Sequence, residues 1–217
     1  MGYGCCVRIR GNMALMTRPE MKGERTSYHV LTPSAARGII EAIYWHPALS
    51  YKIDKITVLS PIRFDSIRRN EVGKVVGLRS IQTAGKTGGP LYLDASRERQ
   101  QRASAVLRDV DYLVDFHFEI IPEKMGQEDD PKKFYNILLR RLRKGQHFSQ
   151  PYLGCREFPA WVSIVEEGEP RPEGAYRQTP EMDLGLMLYD VDYERNCVPI
   201  LFHAVMRHGE IVPEVIP

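Results

Sequence analysis

With 217 residues, 43% of them hydrophobic, the chain can bury the core of one domain, or of one domain with a small appendage. It has no run of about 18 apolar residues, and its N-terminus has no basic-then-apolar signal pattern. These features argue against a membrane-spanning or secreted protein, so we expect a cytoplasmic one. The four cysteines include no C-x-x-C pair. We therefore expect neither a zinc knuckle nor a disulfide framework, and no cofactor.

The net charge of +2 hides an uneven distribution along the chain. Residues 1–108 carry 18 Lys and Arg against 8 Asp and Glu, whereas residues 109–217 carry 12 against 20. A basic half indicates an anionic partner on one side of the molecule, and nucleic acid is the first candidate.

The first elements in chain order are a strand, a loop and a helix. Residues 5–10 alternate between apolar and polar side chains, as a half-exposed strand does. Residues 11–28 show no helical period and predict a long basic loop. Thr32 and Pro33 are typical of a helix start, and an apolar stripe follows at helical spacing. The stripe consists of Ala36, Ile39, Ile40 and Ile43.

Pro47 ends this first helix, because proline cannot continue it and pushes His46 toward an extended conformation. The last turn therefore presents Tyr44, Trp45 and His46 together. A phenol and an imidazole at a helix end can form a site. The alternative is that Tyr44 and Trp45 simply pack against the core.

The middle of the chain predicts three strands, an insertion and a second helix. Residues 51–64 are rich in β-branched residues, and residues 65–90 read as a mobile basic insertion. Residues 97–107 and 110–121 predict two strands joined at Arg108-Asp109. His117 lies on the face of the second that carries polar side chains. Asp130-Pro131 then starts a helix that ends at Gly145.

Residues 161–165 supply one more strand, which completes the order strand, helix, strand, strand, helix, strand. This order predicts an α+β, ferredoxin-like domain over residues 1–165, with a basic insertion at about 65–107. Residues 166–217 predict a small antiparallel β extension with a turn at His208-Gly209.

Tyr44 and His117 are the first candidates for catalysis. RNA can be cut without a metal if a base takes the 2′-hydroxyl proton, an acid protonates the 5′-oxygen, and a cation offsets the charge on phosphorus. Histidine has a pKa suited to this task near neutrality, and a tyrosine can orient or exchange a proton. The alternative is that His117 merely hydrogen-bonds Asp115 or Glu119 on a solvated face.

A metal site formed by Asp115, His117 and Glu119 is a weaker interpretation. Three alternate residues of one strand spread over about 13 Å, so they cannot all ligate one ion without help. We therefore expect no metal.

Seven segments resemble the Cas-five proteins of subtype I-C (Dvulg) CRISPR systems, in the right order and over nearly the whole chain. They are MTRPEMKGERTSY (residues 16–28), PSAARGIIEAIYW (33–45), PIRFDSIRRNEV (61–72), RQQRA (99–103), DYLVDFHFE (111–119), QPYLGCREFPA (150–160) and AVMRHG (204–209).

The resemblance implies a repeat-associated RNA-binding protein with an RRM-like, ferredoxin-type domain and a small C-terminal antiparallel β domain. It implies metal-independent cleavage of the repeat hairpin of precursor CRISPR RNA, with a 2′,3′-cyclic phosphate product. It also implies that the protein stays on the 5′ handle as a subunit of the RNA-guided surveillance complex. Tyr44 and His117 match the tyrosine and histidine that family members use.

The sequence departs from the family pattern beside His117, where relatives have a lysine and this chain has Asp115 and Phe116. Another cation must then stabilise the phosphorane, and the candidates are His46, Lys52 and Arg69. We expect the RNA to lie across the basic half. The candidate RNA-binding residues are Arg18, Lys22, Arg25, Arg37, Arg68, Arg69 and Arg102.

Two other functions stay open. A non-catalytic scaffold would keep the fold and the basic residues, cap the 5′ handle and be indifferent to Tyr44→Phe or His117→Ala. A metal-dependent DNA nuclease would lose its activity in EDTA. In the nuclease interpretation the partners are the repeat hairpin and other complex subunits, with no membrane, and the isolated protein is a monomer.

Overall fold

The structure, a computed structural model, describes residues 3–21 and 23–214. It is a mixed α/β structure in which one large, mainly antiparallel sheet is combined with few helices. The strands are β1 (Tyr3–Ala14), β2 (Arg25–Thr26), β3 (Leu49–Val58), β4 (Phe64–Val72), β5 (Arg99–Ile120), β6 (Trp161–Val165), β7 (Glu181–Asp192), β8 (Val198–Arg207) and β9 (Glu210–Ile211). The α-helices are α1 (Pro33–Ile43), α2 (Leu78–Thr87) and α3 (Pro131–Lys144).

Strand β5 is the strand of the sheet that pairs with the most others, namely β1, β2, β3 and β4. The strand order is β6-β1-β5-β3-β9-β8-β7, and β2 and β4 also pair with β5. With 22 residues, β5 has a contour length of roughly 70 Å at about 3.3 Å per residue. Its C-terminal part lies between β1 and β3, whereas its first nine residues pair with β4.

Helices α1 and α3 cover one face of the sheet, because each has an apolar stripe at helical spacing. The buried residues of α1 are Pro33, Ala36, Ile39, Ile40 and Ile43, and those of α3 are Phe134, Leu138 and Leu142. Alternate residues of β5 point toward these helices, among them the buried Phe116 and Phe118. We call this side of the sheet the helix side.

The starts of both packed helices and the end of α3 confirm the sequence predictions. The predicted last turn of α1 is wrong, because the helix ends at Ile43 and Tyr44 is already extended, with φ of −148°. Thr32 caps α1 by accepting a hydrogen bond from the Ala35 N–H at 3.2 Å. Asp130 accepts one from the Lys132 N–H at 3.0 Å, and α3 ends at Gly145 in the left-handed conformation, with φ of 61°. The strand at residues 161–165 is confirmed with the same bounds.

The prediction of two strands joined at Arg108-Asp109 is wrong, because β5 runs unbroken through both residues. Asp109 has φ of 51°, a local irregularity and not a hairpin turn. The chain continues because the two parts of β5 have different neighbours. Arg68 pairs with Ala103 before the irregularity, and His117 pairs with Lys52 after it.

Residues 65–90 also differ from the predicted irregular insertion, since they contain β4 and α2. None of the ten residues of α2 is buried. Leu78 and Ile81 of α2 are at helical spacing, but both side chains stay exposed, so this helix does not pack on the core. Likewise the predicted loop at 11–28 is shorter, because β1 continues to Ala14 and Arg25–Thr26 form β2.

The last three strands join the sheet through β9. Residues Ile211 and Glu210 pair with Ile56 and Thr57 of β3, and β9 also pairs with β8. None of the helices in the described ranges combines the length and the hydropathy needed to cross a bilayer.

Candidate functional site

Tyr44 is fixed on the helix side at the end of α1. It is the C-cap residue, and its N–H donates to the Ile40 carbonyl at 3.1 Å. Its own carbonyl accepts a hydrogen bond from Tyr51 Oη at 2.8 Å. The ring is buried, lies 6.5 Å from the Phe134 ring and has the Arg141 guanidinium 5.0 Å from its centroid.

This environment keeps the Tyr44 phenol protonated. Burial raises the pKa of Tyr44, the Arg141 cation opposes that change, and Asp129 adds to it. A raised pKa leaves the hydroxyl neutral throughout the physiological range. Tyr44 can therefore donate a hydrogen bond or a proton, but it is not a phenolate base.

His46 lies beside Tyr44. Its Nδ1 accepts a hydrogen bond from the Ala48 N–H at 3.2 Å, which places the hydrogen of the neutral ring on Nε2. Nε2 is 3.6 Å from Asp129 Oδ2, and the ring lies 4.5 Å from Phe134. Tyr44 and His46, two of the predicted site residues, therefore both lie against Phe134.

We call the group formed by Tyr44, His46, Asp129, Phe134 and Arg141 the helix-side cluster. It brings together a neutral phenol, an oriented imidazole and a guanidinium. Arg141 also donates to the Ile43 carbonyl at 2.6 Å, so its cation is fixed in position.

His117 lies on the other face of the sheet. Lys52 is directly opposite it on β3, and His117 Nδ1 donates to Asp54 Oδ1 at 2.7 Å. Asp54 is the additional residue of a β-bulge between Ile53 and Lys55, and this bulge places its carboxylate beside the imidazole. We call His117, Lys52 and Asp54 the sheet-face cluster.

The sheet separates Tyr44 from His117. Phe116 and Phe118, the neighbours of His117 in β5, point to the helix side, so His117 points away from it. Tyr44 contacts α3 on the helix side. The structure does not bring the two predicted catalytic residues together, and the role of each stays a prediction.

The three residues predicted to stabilise the charge on the phosphorane lie in three different parts of the structure. His46 is in the helix-side cluster, and Lys52 is in the sheet-face cluster with its Nζ 3.7 Å from Glu119. Arg69 lies opposite Arg102, which precedes His117 by 15 residues of β5. At about 3.3 Å per residue this is roughly 50 Å along the strand, too far for Arg69 to assist His117.

The alternative metal ligands are engaged with cations. Asp115 accepts two hydrogen bonds from Arg171, at 2.7 and 2.9 Å. Glu119 lies near Lys52. Within residues 3–21 and 23–214, no three His, Cys, Asp or Glu side chains are arranged to hold a metal ion.

Several predicted RNA-binding arginines form ion pairs within the protein. Arg37 of α1 binds Asp190 of β7, with Nη2 2.6 Å from Oδ1. Arg25 and Arg69 both approach Glu71, at 3.3 and 2.9 Å. Arg37 therefore joins two elements and is not free to meet RNA without losing that pair.

The remaining predicted RNA-binding residues are less engaged in ion pairs within the protein. Arg68 is exposed on β4, and Arg102 donates to the Gly23 carbonyl at 3.1 Å. Arg18 lies over the Tyr28 ring and 3.6 Å from Glu20. Lys22 lies outside the described residues.

Sequence reasoning missed Asp54, Asp129, Phe134 and Arg141 as neighbours of the two candidate residues. Asp54 and Lys55 are adjacent polar residues in a β-branched run, which is a signal for a bulge. Arg141 carries no such signal, since the sequence places it among the solvated side chains of its helix.

Comparisons with known proteins agree on one family. The family model described as CRISPR-associated protein (Cas_Cas5), named Cas_Cas5d, matches residues 4–214. A Mannheimia succiniciproducens protein named CRISPR pre-crRNA endoribonuclease Cas5d is 43% identical over 208 residues, covering 94% of this chain and 92% of that protein. A Thermus thermophilus protein of the same name is 37% identical over 222 residues, covering 94% of this chain and 88% of that protein.

A solved structure described as the crystal structure of a CRISPR-associated protein has the same overall fold. It superposes with a TM-score of 0.73 at 25% identity, covering 97% of this chain and 91% of that one. The family match over nearly every residue, together with these relatives, identifies the chain as a member of the Cas5 family of CRISPR-associated proteins.

Proposed function

We propose that this protein is an endoribonuclease that cuts precursor CRISPR RNA at its repeat hairpin. The names of the two relatives support this activity, because both align with this chain over nearly its whole length. Metal-independent cleavage needs a base, an acid and a positive charge at one phosphate. The helix-side cluster supplies Asp129 as a base, Tyr44 as an acid and Arg141 as a cation, and this observation carries the proposal.

The helix-side cluster suggests how the groups divide the work. The Asp129 carboxylate takes the proton of the 2′-hydroxyl, and the 2′-oxygen attacks phosphorus while the bond to the 5′-oxygen breaks. The protonated Tyr44 phenol donates its proton to the leaving oxygen. Arg141 and the Nε2–H of His46 offset the charge on the phosphorane. The products are a 2′,3′-cyclic phosphate and a 5′-hydroxyl.

The sheet-face cluster is the competing site. His117 has an oriented imidazole, Asp54 a carboxylate partner and Lys52 a cation opposite it. One scissile phosphate spans only a few ångströms, so it cannot contact Tyr44 and His117 across the sheet at once. The predicted pairing of Tyr44 with His117 therefore divides into two alternative sites, the helix-side cluster and the sheet-face cluster. Mutation can distinguish them.

The decisive experiment is single-turnover cleavage of a labelled cognate repeat hairpin in EDTA. Tyr44→Phe and Asp129→Asn are expected to lower the rate about 10²- to 10⁴-fold, the usual worth of a general acid or base. The asparagine keeps an acceptor for the Gly126 N–H, which donates to Asp129 Oδ2 at 2.8 Å. His117→Asn, which keeps a donor for Asp54, serves as the matched control and is expected to cut at nearly the wild-type rate.

Each of the other possible results would indicate a different site or a different function. Loss of cleavage only in His117→Asn assigns the reaction to the sheet-face cluster. Tight binding without cleavage by the wild type indicates the non-catalytic scaffold. Activity that disappears in EDTA indicates a metal-dependent nuclease, and a 2′-deoxy substitution at the scissile nucleotide tests the attack by the 2′-hydroxyl directly.

The strand order supports a ferredoxin-like assignment for residues 1–165. Strands β6, β1, β5 and β3 are neighbours in that order, and each adjacent pair is antiparallel. Helix α1 connects β1 to β3, and α3 connects β5 to β6. Strands β7, β8 and β9 follow as a small β extension.

RNA contacts are expected from the more open basic residues, with Arg68 and Arg102 first and Arg18 next, whereas Arg25 would have to leave Glu71. The cut RNA remains bound by its 5′ handle, and other complex subunits join it. The cytoplasm is the expected location, since the four cysteines are all free thiols.

A further inference from the structure

The C-terminal end of α1 is held by residues from distant parts of the chain. The helix stops at Ile43, and Tyr44 follows in an extended conformation, without a glycine of the kind that closes α3 at Gly145. The last four carbonyls of a helix have no partner within the helix, so other donors must reach them. Because this end of α1 leads into Tyr44 and His46, these donors also determine where the helix-side cluster lies.

Two carbonyls of the last turn are bound by other segments. The Ala42 carbonyl accepts hydrogen bonds from the N–H groups of Phe148 and Ser149, at 2.8 and 3.1 Å. The Ile43 carbonyl accepts one from Arg141 of α3 at 2.6 Å. These contacts fix the helix, but neither acts on the residue that follows it.

The Tyr44 backbone has a separate donor on the sheet. Tyr51 Oη of β3 donates to the Tyr44 carbonyl at 2.8 Å, and both side chains are buried. The Tyr51 ring is fixed in turn by β5, since it packs edge-on against Phe116 and Phe118 with centroids 6.0 and 6.1 Å away. Tyr51 therefore joins the Tyr44 backbone to the centre of the sheet.

The Tyr51 hydroxyl stays a donor throughout the physiological range. Burial raises the pKa of Tyr51, and the neighbouring Tyr44 phenol adds to this rise. A phenol with a raised pKa keeps its proton, and the Tyr44 carbonyl is the acceptor that it meets. Without this hydroxyl the carbonyl would lose its partner, and a buried polar group without a partner drives a local rearrangement.

We propose that Tyr51 is a positioning residue for RNA cleavage, because its hydroxyl holds the Tyr44 backbone and thereby orients the phenol that protonates the leaving oxygen. The inference rests on the proposed function, in which Tyr44 is the acid. The carbonyl carbon of Tyr44 is bonded to the Cα that carries the ring, so a shift of the carbonyl also moves the phenol. A misplacement of about 1 Å can lower a rate about 10²-fold.

The test is a double-mutant cycle on single-turnover cleavage of the repeat hairpin. Tyr51→Phe removes one oxygen and keeps the ring, and it is expected to lower the rate about 10- to 100-fold. Affinity for a hairpin with a 2′-deoxy nucleotide at the scissile position is expected to stay unchanged. In the Tyr44→Phe background, Tyr51→Phe is expected to have no further effect on the rate, because phenylalanine keeps the carbonyl but has no proton to donate.

Tyr112→Phe is the matched control for lost stability. Tyr112 is a buried tyrosine of β5 whose phenol hydrogen-bonds the Leu31 backbone, and it lies outside the helix-side cluster. Both Tyr51→Phe and Tyr112→Phe are expected to lower the Tm, since each removes a buried hydrogen bond. Tyr112→Phe is expected to cut at the wild-type rate, so the comparison separates a loss of stability from a loss of positioning.

Two results would overturn the role of Tyr51 alone. One is a wild-type rate in Tyr51→Phe. The other is an equal fall in rate with and without Tyr44→Phe, because Tyr51 would then act on the protein as a whole. Failure of the nuclease proposal looks different, since Tyr44→Phe by itself would then cut at the wild-type rate, and this would overturn both assignments.

Discussion

The two candidate histidines differ in the group that orients each ring. His46 accepts a backbone N–H on Nδ1, whereas His117 donates from Nδ1 to Asp54. The Nε2–H of His46 faces Asp129, whereas the Nε2 of His117 carries no hydrogen in the neutral ring and can accept a proton. The sequence indicates both histidines as chemically suitable, but it does not reveal these partners, because Asp129 is 83 residues from His46 in the chain.

The half-buried thiol of Cys5 and the buried thiol of Cys6 predict a loss of stability in alkali. Burial raises the pKa of Cys5 to about 12 and that of Cys6 to about 11, from an ordinary value of 9.0. Above pH 9 the unfolded chain releases protons that the folded chain keeps. The free energy of unfolding then falls, by up to about 1.4 kcal/mol per pH unit for each thiol.

Urea unfolding at pH 8 and pH 10 measures this effect. We expect Cys6→Ala to reduce the difference between the two pH values, and Cys197→Ala, at an exposed position, to leave it unchanged. Buried Tyr51 and Tyr112 also have raised pKa values, so they act in the same direction at still higher pH. A protein that is equally stable at pH 8 and pH 10 would contradict the prediction.

Among the elements, those with one buried face are the ones that the sequence predicts. The caps of α1 and α3 and the strand at 161–165 come from local chemistry that any fold would respect. The elements β4 and α2 were missed because they extend into solvent. The continuity of β5 was missed because it depends on its partner strands and not on its own residues.

The segment after α3 gives a prediction about Gly154. Gly154 and Gly168 both have left-handed backbones, with φ of 82° and 89°. A Cβ on Gly154 would lie 2.0 Å from the Leu15 carbonyl oxygen, whereas Gly168 has no neighbour within 4 Å. Gly168→Ala is therefore expected to cost about 1 kcal/mol, and Gly154→Ala several times as much.

Thermal unfolding of the two variants checks this comparison. The matched backbone angles make the strain common to both, so the difference in Tm reports the clash with Leu15. Equal Tm values would show that the segment moves away from Leu15 without cost.

At the scale of the whole molecule, the C-terminal strands share the core of the rest. Buried Met187, Phe202 and Ile211 belong to the same hydrophobic cluster as Ile40 of α1. The Lys55 ammonium of β3 also lies 2.8 Å from Glu210 of β9. The small extension after residue 165 thus has no separate core.

We therefore expect one cooperative unfolding transition, with equal calorimetric and van't Hoff enthalpies. Differential scanning calorimetry of the full chain makes the measurement. Phe202→Ala is expected to lower the single Tm without splitting the peak, because the cavity lies in the shared core. Two separate peaks would mean that residues 1–165 and 166–217 unfold independently.

The sequence by itself determined the start of α1, both ends of α3, the face of β5 that carries His117, and the family motifs. These follow from caps, periodicity and side-chain chemistry, which act over a few residues. Only the tertiary structure decided that Tyr44 lies with His46 and Arg141, that the sheet separates it from His117, and that Arg37 binds Asp190. Such contacts join residues far apart in the chain, and the sheet that brings them together is determined by the packing of all its strands at once.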